Sequence, residues 1–171
     1  MVSMKLVTNQ IPVPAGVTIK MEELHLTAKG AAGAVDRTYI MNHVSAKVKG
    51  SSIEVTGPLR EANTLTSHIK NAMQGALNGY KQKMKIVYAH FPIAPELKGK
   101  EVLIKNFLGE KQPRRSKIVG ATKVELKGQE VFVSGPDKED VGQTIANIRT
   151  ATKIRKRDSR VFQDGIYPVD G

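Results

Sequence analysis

Apolar and polar residues alternate along two stretches of the chain, and the two stretches match. Val44, Ala46, Val48, Ile53 and Val55 flank a glycine-containing turn, and so do Val124, Leu126, Val131 and Val133. Period-two alternation around a turn predicts an antiparallel hairpin with one buried face. Val48-Lys49-Gly50-Ser51-Ser52-Ile53-Glu54-Val55-Thr56-Gly57-Pro58 returns, 78 positions on, as Leu126-Lys127-Gly128-Gln129-Glu130-Val131-Phe132-Val133-Ser134-Gly135-Pro136. Such self-similarity is the mark of a duplication. After each hairpin the apolar period lengthens to that of a helix. Leu59, Leu65, Ile69, Ala72 or Met73 and Leu77 stripe the first helix, which closes at Gly79. Val141, Ile145 and Ile148 stripe the second, with Pro136 in its first turn and Asp137, Glu139 and Asp140 at the positive end of its dipole.

Further strands are predicted ahead of each hairpin, at 17–29 and 37–41 in the first copy and at 85–89 and 100–106 in the second. Pro12-Val13-Pro14-Ala15-Gly16 and Phe91-Pro92-Ile93-Ala94-Pro95 hold comparable places and read as rigid extended connectors. The expected fold is α+β: two duplicated small domains, residues 1–81 and 82–171, each an antiparallel sheet packed against one helix.

With 171 residues, 40% of them hydrophobic, the chain has ample material for packed cores. Its charge is less ordinary. Lys and Arg number 27 against 16 Asp and Glu, a net +11, which suits a polyanionic partner such as nucleic acid better than an acidic metabolite or a membrane face. The excess is uneven: residues 1–81 hold 9 basic and 5 acidic side chains, and residues 82–171 hold 18 and 11. No cysteine is present, which excludes disulfides, thiolate metal sites and cysteine nucleophiles. The start, Met1-Val2-Ser3-Met4-Lys5, leads into no long apolar run, so neither a signal peptide nor a membrane span is expected, and the expected compartment is the cytoplasm.

Candidate chemistry concentrates near the end. Between Lys153 and Arg160, five of eight residues are Lys153, Arg155, Lys156, Arg157 and Arg160, a density that repels itself unless a polyanion lies against it. Phe162 and Tyr167 follow, with Asp164-Gly165 between them as an expected turn, so cations are succeeded by ring faces and a bend. The plain alternative is a disordered basic tail, and for Tyr167 it is core anchoring. A second candidate is the loop from Gly109, in which Lys111, Arg114, Arg115 and Lys117 can reach phosphates; the plain alternative is a solvated turn. Gly30-Ala31-Ala32-Gly33 has the Gly-x-x-Gly form of a backbone-clamping loop, but it joins strands, and a tight turn is the better reading. Catalysis finds no support: there is no Walker loop, and His25, His43, His68 and His90 lie far apart without metal-ligand spacing. No cofactor is expected.

Three stretches resemble a known family. Pro113-Arg114-Arg115-Ser116-Lys117-Ile118-Val119-Gly120-Ala121-Thr122-Lys123-Val124, Ser134-Gly135-Pro136-Asp137-Lys138-Glu139-Asp140-Val141-Gly142-Gln143-Thr144 and Arg160-Val161-Phe162-Gln163-Asp164-Gly165-Ile166-Tyr167 are similar to the archaeal and eukaryotic branch of the sixth large-subunit ribosomal protein family. The likeness extends over nearly the whole chain. It implies a structural, non-enzymatic constituent of the large ribosomal subunit. Such a protein binds large-subunit rRNA mainly through its second domain, near the sarcin/ricin loop and the stalk base where translational GTPases dock, with other large-subunit proteins as neighbours. The family's basic loop and tail map onto Lys111, Arg114, Arg115 and Lys117, and onto Lys153, Arg155, Lys156, Arg157 and Arg160. Two departures stand out: Ala31 and Ala32 occupy a loop where relatives are expected to carry a lysine, and the chain ends acidic, at Asp170, where a basic residue is expected.

Two other classes stay open on the residues alone. A non-ribosomal RNA- or DNA-binding architectural module would bind duplex without preference, and an enzyme acting on nucleic acid would need a carboxylate cluster for divalent metal. If five to eight cations meet phosphate, the log-log salt slope is on the order of −4 to −7.

Overall fold

The computed structural model describes residues 6–158 and 160–169. The expectations for the amino-terminal five residues, for Ser159 and for the acidic ending at Asp170 lie outside the described residues. The chain divides into two compact units, residues 1–79 with 136–138 and residues 80–135 with 139–171.

The first unit runs β1 (Leu6–Pro12), β2 (Thr18–Glu22), β3 (His25–Gly30), β4 (Gly33–Thr38), β5 (Ser45–Lys49), β6 (Ser52–Pro58) and α1 (Leu59–Asn78). These strands make two antiparallel sheets, ordered β1-β6-β5 and β2-β3-β4. Both sheets close on one stripe of α1: Ala62, Leu65, Ile69, Met73 and Ala76 share a core with Ile11, Leu26, Val35, Ile53 and Val55. Leu59, counted in the stripe from its spacing, is half exposed at the helix start.

The second unit runs β7 (Tyr80–Val87), β8 (Ala94–Lys98), β9 (Glu101–Lys105), a short 3-10 turn (Phe107–Gly109), β10 (Arg114–Lys117), β11 (Lys123–Lys127), β12 (Glu130–Gly135), α2 (Lys138–Ala151) and β13 (Gly165–Val169). Its sheets are ordered β10-β9-β8 and β11-β12-β7-β13. Met84, Ile86, Val131, Val133 and Ile166 from the larger sheet meet Val102, Ile104 and Phe107, with Val141 and Ile148 of α2 closing the core. The order β7-β12-β11 repeats β1-β6-β5, so the fold is the expected α+β duplication, with β13 added in the second copy alone.

Several local expectations change. Each copy holds two sheets, because the apolar run at 17–29 breaks at Glu23, whose φ of +56° reverses the chain between β2 and β3. The second proline segment is not all connector: Pro95 lies in β8, an edge strand, where a residue without an N–H is tolerated. Half of the basic loop is strand too, since Arg114 to Lys117 pair with residues 104 to 101 of β9. Gly30 and Gly33 face each other across a tight turn pressed on α1; a Cβ at Gly30 would lie 2.5 Å from the Ala76 carbonyl oxygen, which accepts the Ala32 N–H at 2.8 Å.

The bend expected at Asp164-Gly165 occurs earlier. The Asp158 carbonyl accepts the N–H groups of Val161 and Phe162 at 3.2 and 3.0 Å, and by Gly165 the chain has become β13, antiparallel to β7. Gly165 serves packing instead of turning: a Cβ there would lie 3.0 Å from the Tyr167 ring. Thr152 ties this strand to the helix. Its buried hydroxyl lies 3.2 Å from both the Ile148 and Arg149 carbonyls, to which it donates, and accepts the Ile166 N–H at 3.3 Å. Because Ile166 is fully buried, Ile166→Ala is expected to cost about 2–5 kcal/mol of unfolding free energy. The exposed Val161→Ala is expected to stay within about 0.5 kcal/mol. Urea unfolding of the two variants checks this difference.

Candidate nucleic-acid interface

The second unit's cations are organised by a buried ring. Asn106 and Leu108 take left-handed conformations, φ +58° and +52°, and this tight path buries Phe107 completely while turning the chain toward β10. Arg114, the first residue of β10, lies over that ring with its guanidinium carbon 4.3 Å from the centroid. From there its Nε and Nη2 donate to Glu110 at 2.8 and 2.6 Å. Its Nη1 donates to the carbonyls of Ala151 and Lys153 at 2.9 and 3.2 Å. Ala151 is the last residue of α2, so Arg114 satisfies a helix-end carbonyl and pins the root of the tail to the basic loop. Geometry thus gives Arg114 a holding role. The pairing holds the Glu110 carboxyl below its ordinary value near 4.5, chiefly through the Arg114 hydrogen bonds.

Around this pin opens a cleft of about 520 Å³, lined on one wall by Arg114, Arg115 and Glu110 and on the other by Lys153, Arg155 and Arg157. Five cations and one carboxylate therefore share a wet cavity, an arrangement suited to a chain of phosphates. A second cleft of about 560 Å³ joins Lys153 to Phe162, Tyr167 and Arg149. Phe162 is partly taken up by its own chain, since the Arg157 guanidinium lies 4.8 Å from its ring centroid. Arg160 pairs with Asp158 at 2.9 Å, and its hydrogen bond lowers the Asp158 carboxyl from its ordinary value.

The sequence-predicted residues thus separate into groups. Arg114, Arg115, Lys153, Arg155 and Arg157 converge on one cleft; Phe162 and Tyr167 line its neighbour. Lys111, Lys117, Lys156 and Arg160 are exposed but line neither cleft, and Lys156 is the residue at which the tail turns, with φ +59°. Reasoning from sequence missed Arg149, which the apolar stripe of α2 gave no cause to notice; its place in the last turn of a helix next to a basic tail was the available signal. Among the described residues, no group of three or more His, Asp or Glu is placed to hold a metal ion, and no helix is long and apolar enough to cross a membrane.

Fold and cleft together define a class: a duplicated α+β protein that gathers its cations in the second copy. The comparisons with known proteins give the class its family. The family model described as Ribosomal protein L6 matches residues 91–165. The large ribosomal subunit protein uL6 of Methanosarcina mazei is 44% identical over 171 residues, covering 96% of this chain and 97% of its own. That of Methanocella arvoryzae is 48% identical over 165 residues, covering 92% and 93%. That of Methanosphaera stadtmanae is 44% identical over 177 residues, covering 99% and 96%. The chain belongs to the ribosomal protein L6 family, in its archaeal branch, and that family is structural and not enzymatic.

Arg114→Ala should lower stability by about 1–3 kcal/mol, because it strands Glu110 and the helix-end carbonyl together. Arg115→Ala, on the exposed side of the same strand, should leave stability within about 0.5 kcal/mol. Thermal unfolding distinguishes the two. The pH dependence has a definite sign. A carboxyl whose folded value is depressed contributes fully above its ordinary value and loses that contribution as the pH falls through the lowered one. The Arg114 clasp is therefore expected to loosen only below about pH 4.5, modestly because Glu110 is 41% exposed. Titration of the Glu110 carboxyl by carbon NMR reads this, and Glu110→Gln should abolish the step.

Proposed function

We propose that this protein is a structural constituent of the large ribosomal subunit that grips large-subunit rRNA through its second unit. It would sit near the sarcin/ricin loop and the stalk base, beside other large-subunit proteins, in the cytoplasmic ribosome. The observation that carries the reading is the convergence of Arg115, Lys153, Arg155 and Arg157 on one cleft, with Arg114 holding the two walls together. The resemblance of the loop and tail sequences to the family supports the placement, and so do the names of the archaeal relatives.

The mechanism is neutralisation and fit. Arginine and lysine side chains displace counterions from phosphates, so affinity is steeply salt-dependent. Selection comes from the shape of folded RNA, because the major groove of an A-form helix is too narrow for side chains to read. The walls are rigid where it matters: one is a strand, and the other leaves a helix whose end is tied down. A preorganised cleft of this kind loses little side-chain freedom on binding.

The test is filter binding of the full chain to a large-subunit rRNA fragment and to unrelated duplex RNA across a salt series. Arg115→Gln with Arg157→Gln should weaken binding to the rRNA fragment and lower the log-log slope by about 1.4 to 1.8, near 0.7 to 0.9 for each cation removed from a phosphate. Equal affinity for the two RNAs would demote the protein to a general polyanion binder. An unchanged slope would remove the cleft from the interface.

A further inference from the structure

The larger sheet of the second unit has two faces, and only one of them is covered by α2. Met84, Ile86, Val131 and Val133 point into the core shared with that helix. Their neighbours in the strands therefore point the other way, out of the core. Register places Phe132 at the centre of that outer face, directly opposite Lys83 on β7 and Glu125 on β11. Ser134 pairs with Lys81 and Lys123, and Glu130 with Lys85 and Lys127, so four more lysines occupy the diagonal positions around the ring. Diagonal neighbours on a sheet are about 7–8 Å apart, within reach of a lysine side chain. The ammonium groups of Lys127 and Lys83 lie 5.3 and 6.0 Å from the Phe132 centroid.

The face carries five lysines, Lys81, Lys83, Lys85, Lys123 and Lys127, against two acids, Glu125 and Glu130. Lys83 pairs with Glu130 at 2.5 Å and Lys127 with Glu125 at 3.4 Å. Lys81, Lys85 and Lys123 are exposed and make no ion pair among the described residues. A partly exposed aromatic ring framed by lysines, three of them without an acidic partner among the described residues, costs the free protein like-charge repulsion and exposed apolar area, and both are relieved by a ligand that is flat, apolar on its faces and polyanionic along its length. An unpaired nucleotide strand has these properties. A duplex does not, because its bases are stacked on one another. An acidic peptide would match the charge and leave the ring without a planar partner.

We infer that the outer face of β11-β12-β7-β13 is a second RNA-binding surface, one that takes a single-stranded segment with a base stacked on Phe132 and its phosphates on Lys81, Lys85 and Lys123. It rests on the RNA-binding reading of the chain but uses none of the residues that line the cleft. A protein with both surfaces would hold folded RNA at the cleft and an unpaired strand on a different face of the same unit.

Fluorescence anisotropy of the full chain with labelled single-stranded oligouridylate tests it. Phe132→Leu, which keeps apolar volume but removes the ring, should weaken oligouridylate binding about five-fold or more. Lys85→Gln with Lys123→Gln should lower the salt slope by about 1.4, from roughly 0.7 for each phosphate neutralised on a single strand. Both sets should leave binding of the rRNA fragment through Arg115 and Arg157 unchanged. Upfield shifts of the Phe132 ring protons on adding the oligonucleotide give a second readout that does not depend on any variant's folding. No oligouridylate binding, binding unaffected by these substitutions, or equal binding of polyglutamate would overturn the inference while the cleft reading stands. Loss of rRNA-fragment preference with oligouridylate binding intact would overturn the cleft reading and leave this face in place.

Discussion

The second unit is built under one constraint: cations that repel one another must be held at close quarters by the protein alone. Arg115, Lys153, Arg155 and Arg157 face a common cavity with a single carboxylate, Glu110, among them, and that carboxylate is already engaged by Arg114. Repulsion among exposed charges is softened by water and salt, yet it still favours opening. The fold opposes it with contacts that do not involve the exposed charges. Arg114 is turned inward onto Phe107 and two carbonyls, so the one cation at the centre of the cluster works as a clasp. Thr152 fastens the end of α2 to Ile166, and β13 pairs with β7 along five residues.

That arrangement makes the tail inseparable from the core. Residues 153–158 and 160–164 belong to a basic strap anchored at both ends, by the helix at Thr152 and by the strand at Ile166. A free basic tail would sample many conformations and lose that freedom on binding, whereas a strap has lost most of it on folding. The left-handed Lys156 and the Asp158 turn are local devices that let a short strap change direction twice. The duplication supports the same conclusion. The sheet order is shared, and the strand that the second copy adds is the one that closes the strap.

Legibility from sequence followed the kind of force involved. Hydrophobic period and internal repeat revealed the two hairpins and two helices, because burial of Ile53, Val55, Val131 and Val133 imposes alternation directly on the chain. The edge strands β8 and β10 were hidden. Pro95 argued for a connector and the arginines for a loop, and both tolerate an edge where only one side of the backbone is paired. The cation cluster was legible as composition but not as roles. Nothing in Pro113-Arg114-Arg115 distinguishes the arginine that clasps from the one that faces solvent; that difference arises from Phe107 and Glu110, which reach Arg114 only through the left-handed turns at Asn106 and Leu108. Phe132 and its lysines were illegible for another reason: alternation marks the buried face of a hairpin, and only strand register gathers the residues of the outer face around one ring.

Charge alone would not favour placing cations on two faces of so small a unit, since each raises the cost of the other. The distribution makes sense if the two faces see different parts of one polyanion. At the cleft, guanidinium groups dominate, with Arg115, Arg155 and Arg157 offering planar, multiply donating heads suited to fixed phosphate geometry. On the open sheet every cation is a lysine, whose rotatable single charge follows a backbone that is itself flexible. The aromatic content divides in the same way: Phe162 has the Arg157 guanidinium over it beside the arginine cleft, and the partly exposed Phe132 has the Lys127 and Lys83 ammonium groups near its ring. Planar heads line the cleft, and adaptable heads surround a ring on the open sheet.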